Sequence, residues 1–294
     1  MNYSVKEFLT FTFNKGLNPL NISAIVFCAY LETLANKNLS PATIKNKTSH
    51  IRQWMTQLKG NLDGVYHDSV AKWHDALEKT SKFEPNPKEA VPIQVVKDVI
   101  SLFPQDNIGW ILRSAILLMS YGGFRQSEVM PPSIEEFDKE WHITRGDIQV
   151  HEKAIKIVIK KGKNLSKYDQ RRICVFNKNT TPEYCVVFAL NYMYSIQPTV
   201  NSDDPLFTYP VDNKPVCLPF LRKKWTEAIV HLKQDPKKYS LHSLRKMNAT
   251  ASYHAGVTEH EIRQFGAWSS SAHRQYISTR ADLSVNKAIS HYFK

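Results

Sequence analysis

Between Phe83 and Pro92 the chain reads Phe83-Glu84-Pro85-Asn86-Pro87-Lys88-Glu89-Ala90-Val91-Pro92, and no single helix or strand can run through it. Proline fixes φ and has no N–H, and the residue before each proline is pushed out of the helical region. The apolar periodicity stops here as well. The chain is therefore expected to divide into a small helical domain over 1–83, a linker over 84–91 and a larger domain over 92–294. At 294 residues there is material for two cores. No internal repeat or low-complexity tract is present.

The first part reads as helical. Ile22 to Leu34 carries apolar residues at helical spacing. In Leu39-Ser40-Pro41-Ala42-Thr43-Ile44, Ser40 is placed as an N-cap and Pro41 at the first helical position, where its missing N–H costs nothing. The helix that follows, to about Leu58, gathers Ile44, Ile51, Trp54 and Met55 on one face and turns Lys45, Lys47, His50 and Arg52 elsewhere. In the second part, Ile111 to Tyr121 predicts a buried helix broken by Gly122-Gly123, and Arg125 starts another helix. Ala154–Ile159 and Arg172–Phe176 predict two strands flanking a basic turn. Thr258-Glu259-His260-Glu261 is a capping box, with Val257 and Ile262 set to form a hydrophobic staple. The fold class is mainly α with a small antiparallel β-sheet.

Charge narrows the partners. Lys and Arg number 39 against 27 Asp and Glu, a formal net charge of +12, which favours polyanions. No apolar stretch is long enough to span a bilayer, and Met1 to Thr12 lacks a secretory pattern. The expectation is an intracellular protein without a membrane partner, and charge alone leaves a generic basic surface open. Cys28, Cys174, Cys185 and Cys217 are scattered, with no metal-binding or redox spacing.

Three distant segments carry the chemistry: Gly123-Phe124-Arg125-Gln126-Ser127-Glu128, then His242-Ser243-Leu244-Arg245, then Gly266-Ala267-Trp268 with Tyr276 beyond it. His242 and Arg245 share a helix face. Arg125 follows a double glycine at a helix start, where a helix dipole adds positive potential. Guanidinium donors match phosphate oxygens in pairs. Two arginines, a histidine and an indole N–H could hold a phosphodiester and stabilise a pentacoordinate transition state. A phenol such as Tyr276, with a pKa near ~10, needs such positive neighbours or a base to attack well.

In this order and spacing the chain resembles the tyrosine recombinase (phage integrase) family. Arg125 matches the first catalytic arginine, Glu128 an acidic supporting position, and His242 to Arg245 the second motif. Trp268 stands where many members have His and some Trp, and Tyr276 matches the nucleophile. The family's catalytic lysine lies on a β-hairpin, where this chain offers Lys160, Lys161 and Lys163; Lys160 at the strand end is the first choice and Lys161 the second. The resemblance implies a helical core-binding domain followed by a tyrosine-recombinase catalytic domain, without a further arm-binding domain. It implies cleavage and rejoining through a 3′-phosphotyrosine by a dimer or tetramer on double-stranded DNA, with no cofactor and no metal. Lys45, Lys47, Arg52, Lys161 and Lys163 are expected to contact DNA, and the tail from Asp282 to Lys294 to pack on its own domain or on a neighbour.

Each residue has an ordinary alternative. An arginine after two glycines commonly binds a carboxylate, a His-x-x-Arg pair is commonly structural, and a lone Trp is commonly core. Tyr253 and Tyr292 are rival nucleophiles that fit the motif order less well. Lys160 to Arg172 could be a solvated loop. At the level of function, the rivals are an inactive DNA-binding protein and a type IB topoisomerase-like enzyme.

Overall fold

The computed structural model describes residues 2–84, 88–151, 153–160, 172–178, 181–196, 201–268 and 274, with Arg172 described by its backbone alone. The chain forms two compact units, Met1–Asn86 and Pro87–Lys294.

The first unit is built of α1 (Tyr3–Phe13), α2 (Ala24–Ala35), α3 (Pro41–Gln57), α4 (Asp63–Tyr66) and α5 (Asp68–Thr80). Ser40 caps α3 by accepting from the Thr43 N–H at 3.1 Å, with Pro41 just inside. Ile44, Thr48, Ile51 and Met55 recur at three- and four-residue steps and are buried. They meet Phe8, Phe27, Leu31 and Leu34 in one core, in which Phe8 packs edge-on against Tyr30 at 5.1 Å.

The opposite face of α3 departs from the sequence expectation. Lys45 is exposed and pairs loosely with Glu78 at 3.5 Å. Lys47 turns inward to the Glu7 carboxylate at 2.6 Å and lies over the Tyr3 ring. Arg52 gives its Nε and Nη2 to the Val65 carbonyl at 2.9 and 2.6 Å, over the Tyr66 ring. Both side chains are half-buried, because their long stems reach polar groups of neighbouring segments that helical periodicity does not reveal.

The second unit opens with α6 (Ile93–Leu102) and α7 (Asn107–Gly122), followed by the single turn α8 (Gln126–Val129). Nearly every side chain of α7 is buried. Arg113 on this helix closes the end of α6, donating to the Ile100 carbonyl at 3.2 Å and to that of Phe103. A 3-10 turn, Arg145–Asp147, leads into a three-stranded antiparallel sheet in the order β1 (Ile148–Val150), β2 (Ala154–Ile159) and β3 (Arg172–Asn177). Ile155, Ile157 and Ile159 alternate into the core, where Ile157 pairs with Cys174. The two longer strands are those the alternation predicts; β1, at three residues, is too short to show a period. Lys161, Lys163 and the rest of the basic turn lie outside the described residues, as does the tail from Asp282.

Helices α9 (Val186–Ile196), α10 (Leu218–His231), α11 (Leu241–His254) and α12 (Glu259–Phe265) complete the unit. Its first residues are laced to the turn before α11. The Glu89 N–H donates to the Lys238 carbonyl at 3.0 Å, the Lys88 ammonium to the Lys237 carbonyl, and the Lys246 ammonium, from α11, to the Lys88 carbonyl at 2.6 Å. Among the described residues no helix is long and apolar enough to cross a membrane, and no group of His, Cys, Asp and Glu could hold a metal ion.

Candidate active site

Helix α11 places His242 and Arg245 one turn apart, beside the end of α7. Arg245 is 1% exposed. Its Nη1 donates to the Gly123 carbonyl and its Nη2 to the Gly266 carbonyl, and the guanidinium carbon lies 4.0 Å from the centre of the Trp268 ring. Two carbonyls and an aromatic face offset the cost of burying this charge. One turn further on, Asn248 donates to the Ser120 and Tyr121 carbonyls, each at 2.9 Å. Arg245 and Asn248 together thus satisfy carbonyls that the end of α7 leaves open. Gly123 is required on two counts: its φ is +54°, and a Cβ there would lie 2.8 Å from the Asn248 Oδ1.

Arg125 caps α8 from the other side of Gly123. The Glu128 carboxylate, buried, receives the Arg125 backbone N–H on one oxygen and Nη1 on the other, each at 2.8 Å. Helix α8 has one turn, so the helix dipole expected at Arg125 is small and the positive potential there comes from the guanidinium itself.

A third element joins the two arginines. The capping box of α12 forms as its sequence predicts, with Thr258 accepting from the Glu261 N–H at 3.3 Å and Glu261 from the Thr258 N–H at 3.0 Å. Val257 and Ile262 pack with Ala249 and Trp268. The chain then turns sharply through Gly266 and Ala267, the latter at φ +51°. A Cβ on Gly266 would lie 1.7 Å from the Trp268 ring. This corner presents consecutive carbonyls, Gly266 to Arg245 and Ala267 to the Nη2 of Arg125 at 3.4 Å.

His242 is half-buried beside them. Burial, and then the positive charges of Arg245, Lys246 and Arg125, hold its pKa below the ordinary value. The imidazole is therefore neutral at pH 7 and able to accept a proton. A histidine NMR titration is expected to place its midpoint below ~6.5, the ordinary value, and Lys246→Met is expected to move that midpoint upward. An unmoved midpoint would exclude the electrostatic origin. By linkage, a depressed histidine pKa stabilises the fold above the unfolded value, and that contribution is lost as pH falls through the folded one.

The structure thus gathers Arg125, Glu128, His242, Arg245 and Trp268 around one corner. Trp268 is 7% exposed and gives a ring face to Arg245. The Lys160 ammonium is 2.8 Å from Asp147 Oδ2 and 3.4 Å from Thr144 Oγ1. Tyr276 and Tyr292 lie outside the described residues, and Tyr253 is exposed and packs edge-on against His254. Sequence reasoning missed Asn248 and Asp147. The first sits one turn beyond Arg245 on the same helix face, a signal that was available; the second shows none.

No family profile matches the sequence, and no curated protein is similar enough in sequence to match. Solved structures do match. The XerH site-specific recombinase bound to palindromic difH, in a post-cleavage complex, aligns with a TM-score of 0.62 at 16% identity, over 87% of this chain and 69% of that one. A lambda integrase dimer bound to a COC′ core site aligns at 0.59 and 13% identity, over 96% and 90%. The Tn1549 transposon integrase in complex with circular intermediate DNA aligns at 0.52 and 15% identity, over 90% and 84%. Such identities speak to fold rather than to activity, and the fold of this mostly helical chain with its small antiparallel sheet is that of the tyrosine recombinases.

Proposed function

We propose that the protein is a site-specific DNA recombinase that cuts and rejoins duplex DNA through a 3′-phosphotyrosine on Tyr276. The observation that carries this reading is the convergence of Arg125, Arg245 and His242 on the Gly266–Ala267 corner, in the chain just ahead of Tyr276. A buried Glu128 fixes Arg125 in place, which favours a preorganised anion site over a mobile surface cation.

In the proposed reaction the Tyr276 phenol oxygen attacks the scissile phosphorus and loses its proton to His242. The bond from phosphorus to the 5′ oxygen breaks, and that oxygen takes a proton from Lys160. Arg125 faces the charge that builds up on the phosphoryl oxygens, and Arg245, buried against Trp268, adds positive potential from behind it. A 5′-hydroxyl from a partner strand then reverses the step. The phosphotyrosine conserves the bond energy, so the scheme uses neither ATP nor a metal. Strand exchange calls for several active sites, and the lambda integrase structures include a dimer and a tetramer on DNA; a homo-oligomer on double-stranded DNA, inside the cell, follows for this chain. Lys45, Lys161 and Lys163 are the proposed phosphate contacts, while Lys47 and Arg52 add to the field from their inward positions.

The test is covalent capture. The intact protein, expressed in cells and rapidly denatured, is expected to carry covalently joined DNA whose ends share a motif, and cleavage of that motif in vitro is expected to survive a chelator. Cleavage that needs magnesium would reject the scheme. Binding to the recovered site is expected to weaken with salt by roughly 0.9 log unit per phosphate contact for each log unit of salt. A flat response would reject phosphate-dominated binding.

A further inference from the structure

The lysine–carboxylate pair at the end of the sheet is unlike the others among the described residues of the second unit. Lys139–Asp203, Lys214–Asp212, Lys224–Glu227 and Lys238–Glu89 leave both side chains at least 31% exposed. Lys160 and Asp147 are 19% and 11% exposed. Exposed pairs hold neither partner firmly, whereas a sheltered pair with further hydrogen bonds does.

Those further bonds are present. Asp147 Oδ2, which meets the Lys160 ammonium at 2.8 Å, also accepts the Thr144 backbone N–H and the Thr144 hydroxyl, each at 2.8 Å. The Thr144 hydroxyl oxygen in turn faces the Lys160 ammonium at 3.4 Å. The turn that carries both residues is pinned by its backbone: Arg145 N–H to the Asp204 carbonyl at 2.9 Å, Gly146 N–H to that of Ser202 at 2.7 Å, and Leu206 N–H to that of Ile143 at 3.1 Å. The carboxylate is therefore set by the backbone fold and does not depend on the lysine for its place.

We propose that Asp147, with Thr144, is a positioning residue that cradles the ammonium of Lys160 and orients it for proton transfer to the leaving 5′ oxygen; this rests on the recombinase reading above. An ammonium has three N–H groups. One is directed to Asp147 and a second faces Thr144, which fixes the direction of the third. A lysine side chain otherwise loses much rotamer freedom on reaching a single geometry; here the fold has ordered it before DNA arrives. The register of β2 carries Lys160 to the level of the Thr144–Asp147 turn.

The discriminating measurement uses full-length protein under single turnover on the site recovered from covalent capture, with two versions of the scissile linkage. One has the natural 5′ oxygen. The other has a bridging 5′ sulfur, and when its P–S bond breaks the thiolate leaves without needing a proton. Asp147→Asn is expected to slow cleavage of the oxygen substrate by about tenfold, a part of the ~10²–10⁴-fold that a general acid contributes, and to leave the sulfur substrate within about twofold of wild type. Lys160→Met is expected to show the same selectivity with a larger loss, and Thr144→Val, which removes only the hydroxyl, a smaller one. Equal slowing of both substrates by Asp147→Asn would make the residue merely structural and overturn the proposal. Faster cleavage would make the pair a lock and overturn it too, as would a Lys160→Met variant without selectivity. Wild-type protein that cleaves neither substrate would refute the recombinase reading itself, and the cradle with it.

Discussion

Replacing Tyr276 with phenylalanine is expected to abolish covalent capture of DNA while leaving DNA binding unchanged. The substitution removes one oxygen, and with it the only atom of that side chain able to bond phosphorus. Removing a covalent nucleophile costs roughly 10⁴-fold or more in rate, which takes adducts below detection. The proposed phosphate contacts lie on other residues, so a gel-shift titration should report an unaltered midpoint. Adducts that persist in the variant would transfer the role to another tyrosine, and Tyr253 and Tyr292 are the first to examine by peptide mapping. Loss of binding together with adducts would show instead that the phenol supports the fold.

The second large effect is expected on stability. Arg245→Ala withdraws a guanidinium that is 1% exposed and leaves the Gly123 and Gly266 carbonyls without a donor. Each buried polar group left unsatisfied costs ~1–3 kcal/mol, and the contact with Trp268 adds up to ~2 kcal/mol where it is desolvated. Relief from burying the charge offsets part of this sum, so the net loss is about 3–5 kcal/mol, as when one member of a buried charged arrangement is removed. A typical domain has ~5–15 kcal/mol in all, so the urea midpoint of the second unit should fall sharply. Arg245→Lys keeps the charge but cannot span two carbonyls, and should lie between. A loss below about 1 kcal/mol for the alanine variant would show that the corner holds together without the arginine.

The same arginine shows where sequence reading reaches its limit. Local grammar was legible: Ser40-Pro41 at the start of α3, the Thr258–Glu261 box, the Gly122-Gly123 break and the alternation of Ile155, Ile157 and Ile159 all act within a few residues of themselves. The order of Arg125, His242, Arg245 and Trp268 was legible too, because it resembles a family pattern. What each long cation reaches was not. Arg52 is expected at DNA and Arg245 at a phosphate, yet each of them, like Arg113, donates to backbone carbonyls of another segment. Their partners are main-chain atoms, which leave no residue-type signature at all. Lys47 and Lys160 turn to Glu7 and Asp147 for a related reason: the pairing is made by tertiary contact, across sequence distances that no periodicity spans. The one-turn length of α8 is a further case, since a helix start is easy to recognise and its end, at Met130 before the proline pair 131–132, depends on where the chain must go next.

The lacing of residues 88 and 89 to helix α11 and the turn before it bears on where this protein can be cut. Helical periodicity resumes only at Ile93, so a fragment designed from the pattern of apolar residues would begin near Pro92. Such a fragment would lack the carbonyl that holds Lys246, the residue next to Arg245, and the N–H that ties down the turn ahead of His242. A truncation made there would disturb the surroundings of His242 and Arg245 while appearing to remove nothing but connecting chain. The second unit, made on its own, has to carry Lys88 and Glu89 as part of its own body.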